Sequence, residues 1–145
     1  MMLRRALPFL LLAVPAMAQQ HALDVPRGDP DRRPLLDAIR PTLMRLTDGP
    51  VHFGVRELRR FGDFAFGILE PRRPERQPID WSQTSLRGRV AEPGFEDGLT
   101  QVLWRRLPGG WKVEQYAIAP ATPAWPAWQR QYSLPRVLFE AGVTE

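Results

Sequence analysis

LTQVLWRRLPGGWKVEQYAI, residues 99 to 118, holds two runs of alternating apolar side chains on either side of Pro108-Gly109-Gly110. Alternation with a period of two is typical of a strand with one buried face, and Pro and Gly between two such runs favour a tight turn. The stretch therefore predicts an antiparallel hairpin, with one strand from Leu99 to Leu107 and its partner from Trp111 to Ile118.

A second hairpin is predicted upstream, where apolar residues alternate from Val51 to Val55 and again from Phe64 to Leu69. Phe61-Gly62-Asp63 supplies the turn between these two runs. In the second run, the small residues Ala65 and Gly67 share one face. Small side chains there predict close approach by another layer or a strongly curved sheet.

Between the two hairpins the pattern is weaker. PRRPERQP, residues 71 to 78, predicts an exposed loop because proline cannot continue a strand ladder. A weak strand is predicted from Leu86 to Val90, followed by a loop at residues 91 to 94.

An amphipathic helix is predicted before the hairpins, beginning at Asp31 as N-cap with Pro34 in its first turn. Gly49-Pro50 ends the pattern. Pro41 lies inside it, which predicts a kink or two short helices that meet near Arg40. The apolar stripe of this helix consists of Leu35, Ile39, Leu43 and Leu46.

A short C-terminal helix is predicted after Thr122, with Trp125, Trp128 and Tyr132 at positions i, i+3 and i+7 on one face. The three rings have two interpretations, a lid on the core or a platform on which a sugar or peptide stacks. Large aromatic side chains dominate core burial, and the apolar run 137–139 also needs a buried place. Both points favour the lid.

Together these elements predict an α+β fold, a curled antiparallel sheet of roughly four to five strands packed on one N-terminal helix. A cystatin-like or NTF2-like architecture is the expected form. GDFAFGILEPRRP (62–74), GGWKVEQYAIAP (109–120) and AWPAWQRQYSLPRVLF (124–139) resemble a group of short, exported, uncharacterised proteobacterial proteins. The resemblance implies the fold and the compartment but no activity.

Residues 1–18 have the order of a secretory signal peptide: Arg4 and Arg5, the apolar run ALPFLLLAVPA, and Ala16-Met17-Ala18. The apolar run is too short to span a bilayer of about 30 Å, so no stable membrane anchor is expected after cleavage near Ala18. The predicted location is periplasmic or secreted. The predicted division is signal peptide 1–18, flexible lead-in 19–30, a single α+β domain 31–140 and a tail 141–145.

The charge and cysteine content of the chain exclude several kinds of partner and reaction. The chain has 20 Lys+Arg against 16 Asp+Glu and no cysteine, and Lys112 is its single lysine. Removing the two signal arginines leaves a formal charge of about +2, and acids are interleaved with the bases, so nucleic acid is not an expected partner. The absence of cysteine excludes thiol catalysis, thiolate metal sites and a lipoprotein anchor.

No catalytic, cofactor or metal site is predicted. The only histidines are His21, in the lead-in, and His52, on a strand, and neither has acids or cysteines at ligand spacing nearby. Phosphate loops, nucleophile elbows and zinc-protease motifs do not occur in the sequence.

The loop at 71–78 is the candidate partner site, because Arg72, Arg73 and Arg76 could bind a carboxylate of another protein or an acidic glycan. The alternative is a solvated loop balanced by Glu70 and Glu75. A second arginine group, Arg56, Arg59 and Arg60, is expected at the opposite end of the first hairpin, apart from the loop.

Two function classes follow. The first is a non-catalytic exported (periplasmic) binding or protein-interaction domain whose partner is an unknown periplasmic protein or cell-wall component. The alternative is a small-ligand-binding or enzymatic NTF2-like protein that uses the concavity between sheet and helix. The side chains expected to point into that concavity are apolar, which favours the first class: Leu35, Ile39, Leu43, Phe53, Val55, Phe64, Phe66 and Val113.

Overall fold

The chain folds as α+β, with a five-stranded antiparallel sheet that is not closed. The computed structural model describes residues 21–95 and 97–140, so the predicted signal peptide and the tail at 141–145 lie outside it. Strand order in the sheet follows chain order. The elements are β1 (Leu23–Asp24), α1 (Arg32–Thr47), β2 (His52–Phe61), β3 (Phe64–Arg72), β4 (Thr100–Leu107), β5 (Gly110–Ile118) and α2 (Trp125–Tyr132).

Both predicted hairpins are confirmed, as β2–β3 and β4–β5. The predicted loop at 71–78 begins too early, because β3 continues to Arg72 and pairs Pro71 with Phe53. Pairing between β3 and β4 stops at Leu69. Beyond Leu69 the β4 side of β3 is therefore unpaired, and a proline there removes no ladder hydrogen bond.

The first element of the described residues is β1 and not the helix, and it lies within the predicted lead-in 19–30. Leu23 and Asp24 pair with the far end of β2, and the Val25 N–H donates to the Leu58 carbonyl at 2.9 Å. Val25 is buried at 2% exposure. Burial of that one valine anchors a segment that is otherwise rich in turn residues.

The helix α1 is continuous through Pro41, so of the two predicted alternatives the pair of short helices that meet near Arg40 is wrong. Pro41 lies on the exposed side of the helix, where water can hydrate the carbonyl that a proline leaves without its helical donor. The predicted stripe is correct in its first three members, Leu35, Ile39 and Leu43, which have no exposed surface.

A β-bulge between Val55 and Glu57 decides which side chains face α1. Without it, pairing from Phe61↔Phe64 onward would put Phe53 and Val55 on the same face as Phe64 and Phe66, as the sequence analysis assumed. The additional residue, Arg56, reverses the alternation of the first part of β2.

The sheet consequently has a core on each face. The face toward α1 carries Phe53, Val55 and Val113, while Phe66 lies in the core under α2 and Phe64 packs against that core. The expected single inward set is therefore divided between the two faces. The α2 core contains Phe66, Leu103, Trp128, Leu134, Leu138 and Phe139.

The small residue Gly67 on β3 permits a close approach on the α1 face, although not by another layer, as one of the two alternatives predicted. A Cβ atom built on Gly67 would lie 3.0 Å from the Leu58 side chain and 3.1 Å from the Trp104 ring. Trp104 is fully buried. The close approach therefore involves neighbouring strands of the same sheet.

The connection from β3 to β4 is built from short 3-10 turns, and the strand predicted at 86–90 is wrong. Residues Arg87–Arg89 form one of these turns, with the Arg89 N–H bonded to the Leu86 carbonyl at 2.9 Å. Trp81 and Phe95 hold the connection to the α1 core, their ring centroids 5.3 Å apart.

Candidate functional site

The aromatic residues of α2 lie against the sheet. Trp128 is buried at 7% exposure, and its ring meets that of Phe66 edge to face at 6.5 Å between centroids. Trp125 stacks on Phe139 with centroids 5.3 Å apart, and the Tyr132 ring lies 5.6 Å from that of Phe64. The helix begins at Trp125, so the predicted cap Thr122 lies outside it.

Arg73, one of the three arginines predicted to bind a partner, is engaged inside the protein. Its guanidinium donates to the Thr47 hydroxyl at 3.2 Å, to the Thr47 carbonyl, and to the Pro50 carbonyl at 3.0 Å. These acceptors lie at the end of α1, where helix carbonyls lack intrahelical donors. Arg73 is thus a C-terminal clamp on α1.

Arg72 lies on the surface and is paired with Glu70 at 2.9 Å, and Arg56 reaches the same carboxylate at 2.8 Å. The pKa of Glu70 is lowered, first by the hydrogen bond from Arg72, against the opposing effect of burial, and further by the bond from Arg56. The expected separation of Arg56 from the loop arginines is therefore wrong. The bulge turns Arg56 toward the face that carries Glu70.

A cleft of about 650 Å³ brings Arg72 and Arg76 together with two arginines from the start of the fold. We call it the cationic cleft. Its lining contains four arginines and one glutamate, together with the first residues of β2: Arg27, Arg32, Arg72, Arg76, Glu75, His52, Phe53, Gly54 and Val55.

The four arginines of the cationic cleft differ in their hydrogen-bond and ion-pair partners. Arg32 donates to the Val25 carbonyl at 3.0 Å, and Arg72 pairs with Glu70. Arg27 and Arg76 are exposed and have no hydrogen-bond or ion-pair partner among residues 21–95 and 97–140. Their charges are therefore available to a ligand.

The floor of the cationic cleft is a strand edge. The strand β1 covers β2 only at Arg59 and Arg60, with one further bond to Leu58, and then leaves the sheet at Pro26. Proline has no N–H with which to continue the ladder. The outer side of His52–Val55, called here the open edge of β2, has no strand partner in the described part of the chain.

A second groove, of about 770 Å³, adjoins the cationic cleft and shares Arg32 and His52 with it. It lies between α1 and the start of β2. Its apolar contacts are Leu36, Met44, Pro50 and Val51. Met44 is 41% exposed, which makes it one of the larger apolar side chains at the surface.

The carboxylates of Asp29 and Asp31, near the start of α1, accept hydrogen bonds from other side chains of the same protein. Asp31 makes no helix-capping bond, and its carboxylate instead accepts from Arg106 at 2.8 Å and Trp111 at 3.2 Å. Asp29 accepts from Arg60 at 2.7 Å, and its pKa is lowered first by the Asp31 backbone N–H and then by Arg60. These contacts neutralise Arg60 and Arg106, whereas no acid of the described ranges pairs with Arg27.

Neither a metal site nor a membrane-spanning helix is found among the described residues. No group of three or more His, Cys, Asp or Glu side chains there is arranged to hold a metal ion. Over the same residues, none of the helices is both long and apolar enough to cross a bilayer.

Comparison of the chain with protein-family models, with curated proteins and with solved structures finds no match. The resemblance to short exported proteobacterial proteins therefore stays a prediction.

Arg27 and Arg32 were not predicted as members of the site. Nothing in their local patterns distinguishes them: Arg27 follows β1, whose pairing with β2 sets its position, and Arg32 is the first residue of α1 and donates to the Val25 carbonyl. The available signal was the apolar Leu23 and Val25 just before Pro26, the pattern of a short strand that stops at a proline.

Proposed function

We propose that this chain is a non-catalytic binding domain whose cationic cleft takes an anionic partner, either a carboxylate-rich protein segment or an acidic glycan. The observation that carries the proposal is the cleft lining, four arginines against one glutamate, with Arg27 and Arg76 unpaired among the described residues.

The chemistry supports carboxylates as the ligand groups. Guanidinium groups bind carboxylates through two parallel hydrogen bonds, which gives geometric selectivity as well as attraction. Several like charges around one concave surface also raise the local concentration of an anion and its association rate. Both effects weaken as salt is added, since exposed charges are screened over about 8 Å at physiological ionic strength.

We further propose export to the periplasm, on the order of charged, apolar and small residues in positions 1–18. The finer architecture, cystatin-like or NTF2-like, is also a proposal. It is supported by the packing of one long helix across an antiparallel sheet. An exported location gives the cationic cleft access to cell-wall polymers and to other exported proteins.

Small-ligand binding is the second candidate, and the groove beside Leu36 and Met44 favours it. That groove lies on the outer side of α1. The concavity between α1 and the sheet, where the alternative was first placed, is filled by fully buried side chains such as Leu35, Ile39 and Leu43. The lining also includes Arg32, Arg33, Arg40, Asp29 and Asp37, so a ligand of this second kind would carry both apolar and polar groups.

Titration with a capped glutamate-rich peptide and with an acidic polysaccharide tests the main proposal. Arg27→Gln combined with Arg76→Gln should weaken binding by about tenfold at low salt, because it removes two unpaired cations from the lining. Arg45→Gln combined with Arg130→Gln makes the same change of charge outside the cleft. Equal losses in the two double variants would reduce the effect to net charge and contradict a site.

A further inference from the structure

We propose that the open edge of β2 binds an extended, acidic segment of a partner protein as an additional strand of the sheet. This inference rests on the function proposed above and names its ligand.

The first support is the unpaired backbone. Residues in a strand direct their N–H and C=O groups alternately to the two sides, and β3 satisfies one side of His52–Val55. The other side lies beyond the end of β1, which departs at Pro26. A row of such groups is a template for an added strand.

The second support is the placement of charge on both faces of that edge. The Arg72 guanidinium lies 3.4 Å from the position that a Gly54 Cβ would take, so it covers the Gly54 face. Phe53 and Val55 point to the opposite face, toward the α1 core, and Arg32 belongs to α1. Side chains of an added strand also alternate between faces, so carboxylates on both faces would meet arginines.

The third support is local shape. Gly54 has no side chain, which lets another backbone approach the edge closely. The bulge after Val55 ends the regular edge and limits the pairing to about four residues. A polysaccharide could use the arginines but has no peptide groups for the strand edge, so the observations favour a peptide.

Backbone N-methylation of the ligand separates strand pairing from charge. The parent probe is a capped peptide of about eight residues, with glutamates on both faces of its extended form and valine or threonine between them. Two derivatives carry N-methyl groups on alternate residues, one on the odd and the other on the even positions. Their charge is the same as that of the parent.

Strand addition predicts that one derivative binds at least about tenfold more weakly, whereas the other binds like the parent, because only one set of N–H groups faces β2. Amide hydrogen exchange of the protein should slow at residues 52–55 when the parent peptide binds. The edge at β5, Gly110–Ile118, should be unchanged.

Four results would overturn the inference. If both derivatives bind like the parent, the peptide is held by charge alone, and the proposed function survives without strand addition. If protection appears along β5, the wrong edge has been assigned. Binding of the acidic polysaccharide without any binding of the peptide would likewise reject the strand but keep the anion site, whereas no binding of either would reject both proposals.

Discussion

Arg72 and Arg73 are adjacent in the sequence, but their side chains have different environments. Arg72 lies over Gly54 and lines the cationic cleft, whereas Arg73 packs over Gly49 and bonds to the end of α1. A Cβ on Gly49 would approach the Arg73 guanidinium to 2.7 Å. Glycine at 49 is therefore part of the clamp.

Arg73→Ala is expected to lower the free energy of unfolding by about 1–3 kcal/mol, because it leaves carbonyls at the end of α1 without donors. Arg76→Ala, three residues away and exposed, should change it by less than about 0.5 kcal/mol. Urea unfolding of both variants measures the difference. Equal effects would show that Arg73 is an ordinary surface residue.

Ionisation of Glu70 should make the free energy of unfolding higher at neutral pH than at acid pH. Its pKa is lowered from 4.5, so the native state favours the carboxylate. The resulting stabilisation is present above the usual value of 4.5 and is lost as the pH falls through the lower folded value.

Glu70→Gln should therefore be less stable than the parent near neutral pH, with the difference shrinking as the pH falls below the usual pKa of 4.5. Thermal melts across this range test it, and an Asp63→Asn variant, at an exposed turn, is the control. A difference independent of pH would exclude the ion pairs as its cause.

At the level of elements, the sequence contains enough to predict both hairpins and α1. Strict alternation, turn residues between the runs and a helical stripe are all local, and each excludes other assignments over several residues. The bulge at Arg56 could not be predicted from local sequence in this way. No local feature distinguishes Arg56 as an additional residue, yet it reverses the faces of Phe53 and Val55.

The site was predicted only in part for the same reason. Arg72 and Arg76 lie within the proline-rich segment 71–78, whose composition alone marks it as a candidate. Arg27 joins them because it follows a strand of two residues, which is shorter than any periodic signal, and Arg32 joins them from the first turn of α1. Likewise, the role of Arg73 depends on where α1 ends in space.

The helix α2 is expected to stabilise the fold by burying Trp128. Trp128→Ala should destabilise the fold by about 3–5 kcal/mol, the scale for truncating a buried large aromatic side chain. Gln131→Ala, exposed on the same helix, should be within about 0.5 kcal/mol of the parent. Thermal and denaturant unfolding of the two variants decide it, and an unchanged melting temperature for Trp128→Ala would favour the stacking platform instead.

At the scale of the whole molecule, one sheet carries two cores. Leu103 belongs to the core under α2, while its neighbours Val102 and Trp104 belong to the core under α1. Because β3 and β4 contribute to both, loss of either core exposes apolar surface on the same strands. Unfolding should therefore be a single cooperative transition.

Export predicts that the mature chain begins at Gln19. The reason is the small-x-small pattern at Ala16-Met17-Ala18, which signal peptidase cleaves after. Mass spectrometry of the protein recovered from the periplasm of an expressing bacterium measures the terminus. Retention of Met1 in that fraction would contradict cleavage after Ala18, and absence of the protein from that fraction would contradict the proposed compartment.

Lys112 provides a single side chain through which the protein can be attached to a surface. It is the only lysine in the chain, it is exposed, and it lies on β5, three strand positions from β2 in the sheet. At about 4.8 Å between neighbouring strands, that separation is roughly 14 Å. Apart from the terminal amine, amine-directed coupling to a sensor surface would attach the protein through β5, which contributes no residue to the cationic cleft. Immobilised molecules would then present the cleft to the solution, and an added cysteine would be unnecessary.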